Sequence, residues 1–183
     1  SSPDDPRPKT QTPTRDTTTC RHDHCRTLIA SLTIVHLMNI FKEKYLPYAM
    51  ESERKTGLSA IFILAQAALE TGWGKHAPGN MFFGIKASKD TPQRQLLRTY
   101  EILSALPAAG QFPEVISVKK MGKGKYLCVV RDWFRKYDSP EGSFTDHARL
   151  LSQLPRYQKA MQYKSDPYRL AEEIAAAGYA TDP

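Results

Sequence analysis

Hydrophobic positions along the chain change period twice, from helical spacing to alternation and back to helical spacing. Apolar residues dominate from Leu28 to Ile40, broken by Ser31, Thr33, His36 and Asn39, which predicts a first, partly buried helix. Phe41, Tyr45, Leu46, Tyr48 and Ala49 then recur among charged residues up to Lys55. That pattern predicts an amphipathic helix with a kink or break at Pro47 and a stop at Gly57. From Leu58 to Leu69 nearly every side chain is apolar, with Gln66 the main exception, so the predicted helix is hydrophobic all round and buried. Ser59 is its expected N-cap. The helix delivers one carboxylate, Glu70, to a turn made by Gly72, Gly74, Pro78 and Gly79, with Trp73 inside it.

From Arg94 the period becomes two. Leu96, Arg98, Tyr100 and Ile102 alternate with Leu97, Thr99, Glu101 and Leu103, a strand with Glu101 on one face. Two more strands are predicted at Glu114–Lys120 and Tyr126–Phe134, joined as a hairpin by Gly122-Lys123-Gly124. Cys128 lies among Leu127, Val129 and Val130 and reads as a buried structural thiol. Helical signals then return. Ser139-Pro140-Glu141 supplies an N-cap, an N1 proline and a first-turn acid, and Phe144, Ala148 and Leu151 mark the inner face before Pro155. A short helical piece carries Tyr157 and Met161. Asp166-Pro167 opens the last helix, with Leu170, Ile174 and Ala177 inward and Gly178 as its cap, just before Tyr179. Helices, a small antiparallel sheet and helices again make an α+β chain. Such an order forms a mainly helical lobe and a small β-hairpin lobe with a cleft between them.

Length and composition refine this picture. At 183 residues one domain with a sizeable core fits, and the proline cluster before residue 14 marks residues 1–27 as a flexible leader, leaving 28–183 as a single domain. The leader carries five Lys/Arg against four Asp/Glu, so six of the seven net positive charges belong to the rest. A basic body suits a polyanionic partner. No run of five like charges and no nucleic-acid-binding signature is present, so nucleic acid ranks low and is not expected as the partner. The segment Leu28 to Ile40 is too short to span a bilayer, and no stable membrane insertion is expected. Cys20, His22, His24 and Cys25 pack four soft ligands into six residues. No second cluster exists to close a tetrahedron, so a structural zinc site is not expected.

A carboxylate ending an apolar helix has the makings of a general acid, because desolvation raises its pKa toward working pH. With Glu101 on the other wall, two carboxylates across a cleft are the equipment of glycoside hydrolysis. Aromatic side chains suit sugar faces, and Trp73, Tyr100, Tyr126, Trp133, Phe134 and Tyr137 are in the region, although strand aromatics also serve packing.

A series of motifs carries the reading further: Ala65-Gln66-Ala67-Ala68-Leu69-Glu70-Thr71-Gly72-Trp73-Gly74, Phe83-Gly84-Ile85-Lys86-Ala87, Phe134-Arg135-Lys136-Tyr137, Ser143-Phe144-Thr145-Asp146, Pro155-Arg156-Tyr157 and Ala177-Gly178-Tyr179-Ala180-Thr181-Asp182-Pro183. In this order they resemble the endo-β-N-acetylglucosaminidase-like domain of glycoside hydrolase family 73, found in bacterial autolysins and the flagellar peptidoglycan hydrolase. The resemblance covers about residues 38–183. It implies a lysozyme-like α+β fold and cleavage of the β-1,4 bond after N-acetylglucosamine in peptidoglycan glycan strands. It also implies export to the cell envelope or beyond, a monomer, and no metal or cofactor. Carried over by position, Glu70 matches the general acid, Glu101 a second acid on the β lobe, and Tyr179 a tyrosine that orients the sugar's acetamido group. Trp73, Asn80, Phe83, Tyr100, Tyr137 and Tyr157 are the candidates for lining the sugar path. Trp73 and Tyr157 fall on recurrent motif positions suited to a structural role. A muramidase or lytic transglycosylase on the same fold, and a non-catalytic glycan-binding module, are the alternatives.

Overall fold

The computed structural model describes residues 17–179. The expectations for residues 1–16 and 180–183, and for the side chains of Cys20 and His22, lie outside the described residues. Among the described residues four α-helices and three strands follow in the order α1 (Thr17–Thr56), α2 (Ala60–Thr71), β1 (Arg94–Leu103), β2 (Glu114–Lys120), β3 (Tyr126–Arg135), α3 (Pro140–Gln153) and α4 (Pro167–Ala176), with short 3-10 turns between some of them. The chain forms two compact units that divide between Met38 and Asn39.

In the first unit, helix reaches back to Thr17, into the stretch expected to be a flexible leader. The helix predicted from Leu28 as partly buried is instead open along its apolar positions. Leu28, Ile29, Leu32, Ile34, Val35 and Met38 are all exposed.

In the second unit α1 continues without the break predicted at Pro47. Phe41, Tyr45, Ala49 and Ser52 fall at helical spacing and are buried, so core packing secures one face of the helix. Pro47 lies on the exposed face, where water can satisfy the carbonyl that loses its partner.

Helix α2 departs from the all-round burial its sequence predicted. Phe62, Ile63, Ala67, Ala68 and Thr71 are buried, whereas Ile61, Ala65 and Leu69 are exposed, Leu69 by 82%. Apolar character alone could not distinguish the packed face from the open one. Ser59 caps the helix as expected, its hydroxyl accepting from the Phe62 N–H. Ser139 occupies the N-cap position of α3 but makes no side-chain capping bond; Asp166 caps α4, accepting from the N–H groups of Tyr168 and Arg169.

The predicted strands form one antiparallel sheet of order β1-β3-β2, with β3 central. Directly opposed residues of an antiparallel pair share a face, and successive residues alternate faces. Glu101 opposes Cys128, Thr99 opposes Val130 and Leu97 opposes Asp132, so one face carries Glu101, Asp132 and the buried Cys128 and Val130. Tyr100 opposes Val129 and belongs to the other face. The segment before the sheet is stitched to the end of β3 by a Lys86–Phe134 bridge. The Arg135 N–H donates to the Ile85 carbonyl and the Ala87 N–H to the Trp133 carbonyl.

The core joins α1 from Phe41 onward with α2, α3, α4 and the Phe82-Phe83 segment. Phe144, at its centre, is completely buried and packs edge-on against Phe82 and Phe83.

Candidate active site

Glu70 occupies the last turn of α2, and the sequence around it builds an abrupt stop. The Thr71 hydroxyl donates to the Ala67 carbonyl and accepts from the Gly74 N–H, while the N–H groups of Gly72 and Trp73 both reach the Ala68 carbonyl. Gly72, Trp73 and Gly74 all take positive φ. At Gly74 (φ +80°) a Cβ would also lie 3.0 Å from the Tyr45 ring, so both conformation and space favour glycine. This turn leaves Glu70 exposed rather than enclosed as the apolar run predicted.

Tyr179 comes to Glu70 from the other end of the chain. Its hydroxyl donates to Glu70 Oε1 at 3.4 Å. Burial, followed by the Glu70 carboxylate, pushes the phenol's pKa above its usual value and keeps it a donor. The turn holding Tyr179 is fixed twice. Gly178 takes φ +90° just after α4, and the Arg156 guanidinium donates through Nε (3.2 Å) and Nη2 (2.8 Å) to the Ala177 carbonyl. Glu70, Gln66 and Tyr179, with apolar Phe62, Leu69 and Ile174, line a cavity of about 370 Å³.

Gln66 stands one helical turn before Glu70 and is fixed by His147, whose Nε2 lies 2.9 Å from Gln66 Oε1. Burial drives the His147 imidazole down to about 3, against the pull of Asp146, so the ring is neutral near pH 7. With the amide oxygen as acceptor, it donates through Nε2–H. His147 in turn stacks on Phe83, with ring centroids 3.7 Å apart and planes 10° apart.

Glu101 lies on β1, half-buried, with its Oε1 2.7 Å from Lys86 Nζ; the same ammonium is 2.7 Å from Asp132 Oδ2. Burial works to lower the Lys86 pKa, but hydrogen bonds to Asp132 and Glu101 outweigh it and raise the pKa.

The other candidates separate by environment. Phe83 and Tyr157, only 3% and 4% exposed, are core residues and have no free ring face to offer a sugar. Phe83 supports His147, and Tyr157 packs near Tyr179 with centroids 6.3 Å apart. Tyr100 is 63% exposed but lies on the sheet face opposite Glu101. Trp73 is partly exposed and sets its ring edge-on to Phe41. Asn80, at φ +55°, donates from Nδ2 to the Tyr137 carbonyl. Tyr137 donates its hydroxyl to Asp146 at 2.6 Å, and Asp146 also pairs with Arg135. Asn80 and Tyr137 therefore form a structural junction. Sequence reading did not assign Gln66, Lys86, Asp132, His147 or Arg156 to the site. Gln66, polar in an apolar run, and Lys86 and Arg156, inside the quoted motifs, left a signal in the sequence, whereas Asp132 and His147 depended on pairings remote in sequence.

The model of the mannosyl-glycoprotein endo-β-N-acetylglucosaminidase family matches residues 46–183. The chain belongs to this family. It is 34% identical over 150 residues to the peptidoglycan hydrolase FlgJ of Vibrio cholerae, covering 78% of this chain and 39% of that protein. It spans two fifths or less of the first three curated relatives it matches. Among solved structures, the glycoside hydrolase domain of Salmonella typhimurium FlgJ aligns with a TM-score of 0.55 at 26% identity, over 79% of each chain. A peptidoglycan hydrolase mutant from Sphingomonas sp. A1 aligns with a TM-score of 0.53 at 32% identity, over 79% of this chain and 84% of that one. The α+β, lysozyme-like fold implied by the motifs is the fold observed. The family's match includes every element that positions Glu70, Tyr179, Glu101 and Lys86 except the α1 residues before position 46.

Proposed function

We propose that this chain hydrolyses peptidoglycan glycan strands, cutting the β-1,4 bond that follows N-acetylglucosamine, with Glu70 as the general acid. The observation that carries this reading is the pairing of an exposed carboxylate on α2 with a protonated tyrosine at the edge of a cavity, in a chain of the glucosaminidase family. Glu70 in its acid form would donate its proton to the glycosidic oxygen as the C1–O bond breaks. Water then supplies hydroxide to C1, and its remaining proton restores Glu70. Tyr179 holds the Glu70 carboxyl and presents its hydroxyl to the acetamido group of the bound sugar. Either Glu101 or that acetamido oxygen supports the positive charge at C1. A carboxyl separation of about 5–5.5 Å in a substrate complex would indicate a nucleophile, and one of about 6.5–9.5 Å would leave room for water.

The basic composition suits an anionic cell wall, and action there requires export. Among the described residues no helix is long and apolar enough to cross a membrane. The deciding experiment digests purified peptidoglycan with the wild-type chain and with Glu70→Gln, then identifies the fragments by mass spectrometry. The expected products carry N-acetylglucosamine at the reducing end and disappear with Glu70→Gln. A muramic acid end or an anhydro end would assign the other bond, and equal activity of both proteins would remove Glu70 from the mechanism. Pull-down by the wall without soluble fragments would indicate a binding module.

A further inference from the structure

Lys86 stands between two carboxylates on the same face of the sheet, although the ladder does not place those acids together. Glu101 opposes Cys128 and Asp132 opposes Leu97, four positions along β1 from Glu101. Their side chains converge because one ammonium lies 2.7 Å from each. The group has two negative charges and one positive, so removing the cation would leave neighbouring carboxylates to repel each other.

An exposed lysine in an ion pair usually contributes little, because a flexible stem must be ordered to make the contact. Lys86 begins from a fixed position. Its backbone is bridged to Phe134, flanking Ile85 and Ala87 are hydrogen-bonded to β3, and its ammonium lies 4.5 Å from the centre of the Phe134 ring. The same short segment begins at Phe83, which stacks on His147, and His147 holds Gln66 one turn before Glu70. The helix carrying one acid is thus linked by side-chain contacts through Gln66 and His147 to Phe83, and the chain from Phe83 to Lys86 leads on to the strand carrying the other.

We propose that Lys86 is a positioning residue for the hydrolysis: shared between Glu101 and Asp132, it holds the Glu101 carboxylate in the orientation in which that acid serves the bound glycan. This rests on the proposed reading of Glu70 and Glu101. Lys86 itself need not touch the substrate.

The test is steady-state kinetics on defined peptidoglycan strands for wild type, Lys86→Met, Lys86→Arg, Glu101→Gln and the Lys86→Met/Glu101→Gln double variant, with melting temperatures for each. Lys86→Met is expected to lower kcat about 10-fold or more while KM stays within about twofold and melting is unchanged, since lost positioning acts on the transition state. Lys86→Arg should recover most of the loss. In the Glu101→Gln background Lys86→Met should cost nothing further. Wild-type kcat for Lys86→Met, or the same fold-loss in both backgrounds, overturns the proposal. If Lys86→Met melts early, Lys86→Gln takes its place under the same criteria. Glu70→Gln separates the two ideas: full activity there defeats the underlying reading, whereas an inactive Glu70→Gln beside a fully active Lys86→Met defeats only the role of Lys86. A fully active Glu101→Gln also removes that role, leaving Glu70 untouched.

Discussion

The Tyr179 hydroxyl donates to Glu70 across 109 positions of sequence, joining the turn after α4 to the last turn of α2. The hydrogen bond is long, at 3.4 Å, but the tyrosine's position is well determined: Arg156 fixes the preceding carbonyl, and the rings of His147 and Tyr157 flank its own. Such an arrangement leaves the Glu70 carboxyl adjustable while the phenol stays in place.

Tyr179→Phe keeps the ring and deletes only the donor. A typical hydrogen bond contributes about 1 kcal/mol and this one, at 3.4 Å, is longer and weaker, so kcat should fall by about two- to fivefold with little change in melting temperature. Because burial and then Glu70 raise the phenol's pKa, the wild-type pH profile should show no limb from Tyr179 below about pH 10. Unchanged kcat in the phenylalanine variant would show that the hydroxyl has no part in the reaction.

His147 makes stability depend on acid. Its folded value is depressed to about 3, whereas the unfolded chain's histidine titrates near 6.5. Between those limits the unfolded state binds a proton that the native state refuses. The contribution is therefore complete above pH 6.5 and is lost as pH falls toward 3, at up to about 1.4 kcal/mol per pH unit. Melting curves from pH 7 to 4 should fall more steeply for wild type than for His147→Gln. Parallel slopes would mean that His147 takes up its proton in the folded state.

Gly74→Ala places a Cβ at φ +80° and 3.0 Å from Tyr45. The expected cost is about 1–3 kcal/mol, read by urea denaturation. Activity should fall as well, because the same turn sets the end of α2 that bears Glu70. A neutral substitution would show that the turn relaxes without disturbing Tyr45.

Tyr100→Ala tests the division of the sheet into faces. Tyr100 projects from the face opposite Glu101, so kcat/KM on peptidoglycan should stay within about twofold of wild type. A tenfold loss would show that the glycan contacts both faces.

Much of the fold was legible because local rules wrote it. The switch from helical to alternating period located the three strands of the sheet, Gly122-Lys123-Gly124 marked the β2–β3 hairpin, and Ser59 capped its helix as expected. Other readings failed where a local rule met tertiary packing. Pro47 did not break α1, because Phe41, Tyr45 and Ala49 secure the buried face while the proline occupies the open one. The apolar run of α2 did not become an enclosed helix, since periodicity cannot show which side finds a partner.

By itself the sequence determined the order and kind of elements, the motifs of the family, and the choice of Glu70, Glu101 and Tyr179 as the residues to examine. Alternation also separated Tyr100 from Glu101, since neighbours on a strand face opposite ways. Only the tertiary structure decided that Phe83 and Tyr157 are core, that Arg156 fixes the turn before Tyr179, that His147 anchors Gln66, and that Lys86 bridges Glu101 to Asp132. The reason is physical. Helix caps and strand periods depend on residues a few positions apart, whereas burial and ion pairing depend on which distant segments meet when the core closes.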